Sequence, residues 1–310
     1  MTYLTLDIGG SSVKYALMNE EAQILSQGKE KISSFTEEDA LFSALRNVKE
    51  SVKQDYHGVA VSMPGRIDTV QGIAHTGGSF RFIKEMPMAA RLQEVFGKDV
   101  TIANDGKCAA NAEAWKGALS DVESGAVIVL GTGIGGGVVL DHKVRLGAHF
   151  GAGEFSIIPA DYDLAFETFR FGEGMKNPYW SGHATAFSFA RDYAEAAGLG
   201  ASSYYEAKPV LDRVHAGDET ACRIFTRFTR WVAVGILSLQ AVLDAERYAI
   251  GGGISADPLV TQKIAEAVHE TFSNKPWLPF GEPEVVTCAF ENDANLIGAL
   301  RFYQQLKEGH

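Results

Sequence analysis

Apolar and polar positions alternate with two different periods along this chain, and the switches between them mark its elements. Tyr3-Leu4-Thr5-Leu6-Asp7-Ile8 has the pattern of a strand and Gly9-Gly10-Ser11-Ser12 that of a turn, after which Val13-Lys14-Tyr15-Ala16-Leu17 resumes the strand pattern. This predicts a hairpin with glycines at its tip. The same layout returns at residues 127–130, 131–137 and 138–140. Between the two hairpins, residues 57–63 and 100–103 read as buried strands ending at Pro64-Gly65 and Asn104-Asp105, and 107–119 reads as a helix. Farther on, Ile224, Phe228, Val232, Ile236, Leu239 and Val242 recur at helical spacing and predict a long core helix. Tyr248-Ala249-Ile250 is a short strand that stops at Gly251-Gly252-Gly253, and 294–306 is an amphipathic helix. Alternating strands and helices predict an α/β architecture. Two glycine-tipped hairpins with no low-complexity linker between them suggest two related lobes.

Composition narrows the function. The chain has 310 residues, 46% of them apolar, which is enough for two domains with buried cores. A net charge of −11 argues against nucleic-acid binding, which needs clustered Lys and Arg to neutralise phosphates. Cys108, Cys222 and Cys288 are far apart and form no C-x-x-C pair, so neither a disulfide framework nor a structural zinc site is expected. The start lacks the basic and apolar pattern of a signal peptide, and the uncharged run 125–140 is too short and glycine-rich to span a bilayer. A cytoplasmic protein without membrane contact is the expectation.

The string Gly131-Thr132-Gly133-Ile134-Gly135-Gly136 fits G-x-G-x-x-G, yet a dinucleotide fingerprint must open a helix and these glycines lead into the apolar strand Val138-Val139-Leu140. No G-x-x-x-x-G-K-[ST] string is present either. What remains is a turn between strands whose backbone N–H groups can surround an anion, or simply a tight hairpin. Two such turns together with Gly251-Gly252-Gly253 favour a joint phosphate role.

Taken in order, these motifs resemble the ROK family of repressors, open-reading-frame proteins and sugar kinases, whose fold is the duplicated two-lobe actin/hexokinase-like (ribonuclease H-like) α/β fold. The segment from Asp7 through Gly9, Gly10, Ser11 and Lys14 resembles its first phosphate loop, and Ser62-Met63-Pro64-Gly65-Arg66-Ile67-Asp68 its PGxVD segment. Asn104-Asp105 stands where the family has its catalytic pair, Gly131-Thr132-Gly133 in its second phosphate loop, and Gly153-Glu154 in its sugar-binding stretch. Ile250-Gly251-Gly252-Gly253 resembles the adenosine loop, and 292–299 the C-terminal signature. By this resemblance the first lobe is expected at 1–115, completed by the C-terminal helix 292–310, and the larger lobe at 116–291.

The resemblance implies ATP-dependent phosphorylation of a hexose or hexoside hydroxyl, with Mg²⁺. Glucose or a β-glucoside is favoured over mannose, fructose and N-acetylmannosamine. Asp105 would accept the hydroxyl proton, or else merely cap the following helix. Asn104, Glu154, Gly65, Gly78 and Ser79 would hold the sugar. Asp7, Gly9, Gly10, Ser11, Gly131, Thr132, Gly133, Gly252 and Gly253 would hold ATP, with Asp7 meeting Mg²⁺ through water. Lys14 either reaches phosphate or lines its hairpin. A homodimer is implied by the resemblance alone. The alternative is a non-enzymatic sugar sensor, and the expectation against it is that no helix-turn-helix precedes the first strand.

Two features depart from the family pattern. Most members have Gly-His two residues after Gly-Glu, in a zinc site completed by a downstream cysteine cluster and ending in a second sugar-binding Glu. Here the chain reads Glu154-Phe155-Ser156-Ile157, without those cysteines, and has Asn177 before Pro178-Tyr179-Trp180. This resembles a zinc-lacking minority. His149 and His183 are candidates to replace the missing His, with packing or solvation as the alternative for each.

Overall fold

The computed structural model describes residues 1–166, 177–200 and 206–308. The chain forms two compact units, one of Met1–Gly117, Lys143–Ala152 and Asn292–His310, the other of Ala118–His142 and Gly153–Glu291. Both are α/β, as the alternation of patterns predicts.

The first unit is built on a five-stranded sheet of order β3-β2-β1-β4-β8. Strands β1 (Thr2–Ile8), β2 (Ser12–Asn19) and β3 (Ile24–Lys31) are antiparallel, whereas β4 (Val59–Met63) and β8 (Val100–Asn104) run parallel to β1. All five residues of β4 are buried, the mark of a strand covered on both faces. The edge strand β3 is largely exposed and carries Lys29, Glu30 and Lys31, charges that discourage edge-to-edge pairing. A smaller antiparallel sheet, β5 (Ile67–Asp68), β6 (Ile73–Thr76) and β7 (Lys84–Met86), lies in the connection after β4, and its strands are too short to show a period in the sequence.

Helix α1 (Glu38–Ser51) buries Leu41, Phe42, Leu45 and Val48 at helical spacing. Helix α2 (Met88–Phe96) ends at Gly97, whose φ of 68° is the left-handed cap that glycine adopts without strain. Helix α3 (Asp105–Lys116) is buried through most of its length and rich in alanine, and it packs on the C-terminal helix α9 (Ala294–Glu308). At Gly298 the two backbones touch: a Cβ there would sit 1.7 Å from the carbonyl oxygen of Cys108. The excursion Lys143–Ala152 begins with β11 (Lys143–Val144) and lays Phe150 on His75, ring centroids 6.0 Å apart.

In the second unit, β9 (Ser124–Leu130) and β10 (Ile134–Leu140) form the second glycine-tipped hairpin. Strand β12 (Arg247–Gly251) runs parallel to β9 and to β13 (Glu284–Thr287). Around them lie α4 (Tyr162–Phe166), α5 (Ala186–Ala196), α6 (Lys208–His215), α7 (Glu219–Leu243) and α8 (Pro258–Ser273). Helix α7 buries Ile224, Phe228, Val232, Ile236 and Leu239 as its spacing predicts. Val242 does not join them and is 82% exposed, because the helix ends one residue later and the adjoining core position is taken by Gln240. Gln240 is buried with its amide satisfied, donating to Ala245 O and accepting from Tyr248 Oη. Among the described residues no helix is long and apolar enough to cross a membrane.

Candidate active site

Most of the predicted residues of the first unit gather at the C-terminal ends of its parallel strands. β8 ends at Asn104, and the chain turns directly into α3. Asn104, not Asp105, is the N-cap: its Oδ1 accepts from the Lys107 backbone N–H at 3.1 Å. Its amide nitrogen donates to Gly65 O at 2.9 Å and to Asp105 Oδ1 at 3.0 Å. Asp105 Oδ1 also accepts from the Gly106 N–H at 2.8 Å. Capping is thus Asn104's work, and the Asp105 carboxylate is oriented by two donors at the head of the helix.

Gly65 stands beside this pair with a φ of 108°, and a Cβ on it would lie 2.2 Å from Thr76 O, so only glycine fits. Gly78 is also left-handed, with φ 62°, and packs against Pro64. Ser79 lies against the first glycine turn, its Oγ 3.2 Å from where a Cβ of Gly10 would be. The structure therefore brings Gly65, Gly78, Ser79, Asn104 and Asp105 to the same end of the sheet as Gly9 and Gly10.

Asp7 is at the same end of β1, opposite Lys14 of β2. Its Oδ1 accepts from Ser62 Oγ at 3.0 Å and from Asn295 Nδ2 at 3.1 Å. Burial pushes its pKa above the ordinary carboxylate value, opposed by those two hydrogen bonds and by the Lys14 charge. Ser11 is exposed at the tip of the turn, and its carbonyl accepts from the Ile32 N–H at 3.0 Å.

In the second unit the glycine turn joins β9 to β10 rather than opening a helix, which removes the dinucleotide reading. Gly131 N–H donates to Gly133 O at 3.0 Å, closing the turn, and Thr132 is exposed at its tip. Gly252 has a φ of 96°, and a Cβ on it would fall 2.4 Å from Leu130 O, so the loop after β12 lies on the end of β9. These two loops line a cavity of about 750 Å³ together with Ala186, Phe187, Leu211, Ile254 and Pro258. Its size and largely apolar walls suit a planar heterocycle with a sugar attached. Glycine was the only local signal for this cavity. The contributions of α5 and α6 carry no motif and were not foreseen in the sequence.

Glu154 is exposed at the start of a 3-10 turn, Phe155–Ile157. Two residues on, Ser156 bonds to Ile134 beside the glycine turn. Of the two histidine candidates, His149 is exposed in the first unit. His183 is stacked on Trp231 with centroids 4.3 Å apart, and burial followed by the Arg191 charge lowers its pKa. Packing is its evident role. Ser62, Asn295 and Ser156 are the polar residues that the sequence reading gave no part.

The sequence model of the ROK family matches residues 3–306. The chain belongs to the ROK family. Among curated ROK relatives, the beta-glucoside kinase of Klebsiella pneumoniae is 28% identical, over 99% of this chain and 97% of that protein. A ROK family protein from Streptococcus pneumoniae, solved in complex with sucrose, superposes with a TM-score of 0.83 at 26% identity, with all of both chains covered. A ROK family glucokinase from Streptomyces griseus, solved with glucose and AMPPNP, gives a TM-score of 0.78 at 25% identity over 98% of this chain and 100% of that one. The fold is the actin/hexokinase-like fold of ROK kinases.

Proposed function

We propose that this chain is an ATP-dependent sugar kinase that transfers the γ-phosphoryl group to a hydroxyl of a hexose or hexoside, with glucose or a β-glucoside the preferred acceptor. The observation that carries the reading is the Asn104–Asp105 pair, a carboxylate held by two donors at the head of a buried helix in a chain of this family. The acceptor preference rests on the beta-glucoside kinase and glucokinase names of full-length relatives.

Phosphoryl transfer to an alcohol asks for alignment and charge neutralisation, with a base for the hydroxyl proton. Asp105 accepts that proton, and Asn104, which also donates to the carboxylate and to Gly65 O, hydrogen-bonds the sugar and fixes its pose. Glu154 accepts hydrogen bonds from adjacent sugar hydroxyls, a task suited to a carboxylate. Gly65, Gly78 and Ser79 line the sugar's side of the first unit. Backbone N–H groups at Gly9, Gly10, Ser11, Gly131, Thr132 and Gly133 receive phosphate oxygens, Lys14 adds positive charge, and Gly252 and Gly253 border the adenosine.

Asp7 is the residue for Mg²⁺. Among the described residues no cluster of three or more His, Cys, Asp or Glu forms a metal cage. A single half-buried carboxylate at a strand end suits an ion that keeps its waters and travels with nucleotide phosphates. The chemistry that ion supplies is neutralisation of charge on the phosphates. Residence in the cytoplasm is part of the proposal, in keeping with three cysteines that lie far apart in the sequence with no C-x-x-C pair, as is a homodimer.

The test is ADP release from Mg²⁺ and ATP across free, N-acetylated and β-linked sugars. Turnover that one class of sugar stimulates at least tenfold supports the kinase reading and names the acceptor. Absence of stimulation by any sugar, with sugar binding retained, would favour the sensor instead.

A further inference from the structure

Asp7 is gripped on one oxygen only. Ser62 and Asn295 both donate to its Oδ1, and no described residue donates to Oδ2. The donors come from different elements: Ser62 is fully buried in β4, in parallel register with Asp7, while Asn295 lies in the first turn of α9, 288 positions farther along the chain. Neither is itself placed to titrate. A carboxylate at a strand end otherwise rotates about its last torsion, and fixing it in advance removes an entropy cost from any ligand that engages it.

We propose that Ser62 and Asn295 are positioning residues that lock the Asp7 carboxylate and present Oδ2 alone to the cation accompanying the nucleotide phosphates. The inference rests on the reading of Asp7 given above. It adds a selectivity: one presented oxygen suits a small ion that keeps its waters and is held through one of them, whereas Ca²⁺, which takes carboxylates directly, gains from a bidentate one. With either donor removed the carboxylate is held by one hydrogen bond instead of two, and discrimination against Ca²⁺ relaxes.

The experiment measures Mn²⁺ binding to the full-length protein with ATP and no sugar, by electron paramagnetic resonance, for wild type, Asn295→Ala and Ser62→Ala. Each substitution is expected to weaken Mn²⁺ binding about tenfold or more, the worth of one hydrogen bond to a charged group. The competing power of Ca²⁺ should rise, while the KM for sugar stays within about twofold. A tie that only fastens α9 to the sheet would lower the melting temperature and leave Mn²⁺ affinity of the folded variants within about twofold of wild type, which overturns the proposal. If Asn295→Ala folds poorly, Ser62→Ala, the smaller change, decides the matter. A wild type that binds Mn²⁺ and ATP no better than Asp7→Asn overturns the reading of Asp7 itself, a distinct outcome.

Discussion

The hydroxyl of Ser156 meets both polar groups of one residue: it accepts from the Ile134 N–H at 2.8 Å and can donate to Ile134 O at 3.2 Å. Ile134 directly follows the Gly131-Thr132-Gly133 turn, and Ser156 is two residues past Glu154. The segment assigned to sugar and the turn assigned to phosphate are therefore tied together by these two hydrogen bonds. Ser156→Ala leaves the buried Ile134 N–H without this partner, at a cost of about 1 kcal/mol. Steady-state kinetics should show KM for ATP and for sugar both raised, by about fivefold or less. An unchanged ATP KM would mean that the turn holds its shape unaided.

Asp105→Asn keeps the shape of the side chain and an oxygen to accept from the Gly106 N–H, yet removes the base. The kcat should fall by a factor of about 10² or more with sugar KM little altered. Melting temperature should stay close to wild type. A loss of less than about tenfold would assign the proton to another group.

Two helix glycines are fixed by what lies against them. A Cβ at Gly298 would be 1.7 Å from Cys108 O, and one at Gly235 would be 2.0 Å from the ring of Trp180. Neither obstacle yields easily: the first is backbone, and the second is a buried indole whose Nε1 donates to Trp231 O at 2.9 Å. Alanine at either position should destabilise its unit by about 1–3 kcal/mol or more, overriding its better helix propensity. Denaturant melts of the two variants provide the check.

His183 supplies a pH dependence of stability. Its folded-state pKa lies below the ordinary 6.5, so as pH falls from neutral the unfolded chain takes up the proton first. Stability from this group is full above about 6.5 and is lost as pH falls through the lower folded value. Arg191 and Arg227 deepen the effect, while Asp192 and Asp161 oppose it. His183→Phe keeps a ring to stack on Trp231 and cannot take a proton. Its melting temperature relative to wild type should rise as pH is lowered from 7 toward 5.5. A difference that stays constant with pH would show that His183 does not titrate differently on folding.

What the sequence determined by itself was what local chemistry can write. Periods of two and of about 3.6 placed β1, β2, β9, β10 and the body of α7, and glycines at two strand-to-strand turns ruled out the dinucleotide reading, because a turn followed by a strand cannot open a helix. Ordered motifs from Leu6 to Ala299 pointed to the family, and glycines such as Gly65 and Gly252 stand where left-handed backbone or a close approach demands them. Tertiary structure decided what depends on distant pieces of chain meeting. No periodicity could show that Asn295 reaches Asp7, that Ser156 pins Ile134, or that α5 and α6 wall the cavity beside Gly131 and Gly253. It also decided between two neighbours that look alike in sequence. Asn104 and Asp105 are both good caps, but at the end of β8 only Asn104 has the extended backbone that turns its side chain onto the Lys107 N–H, so that the Asp105 carboxylate is not the helix cap.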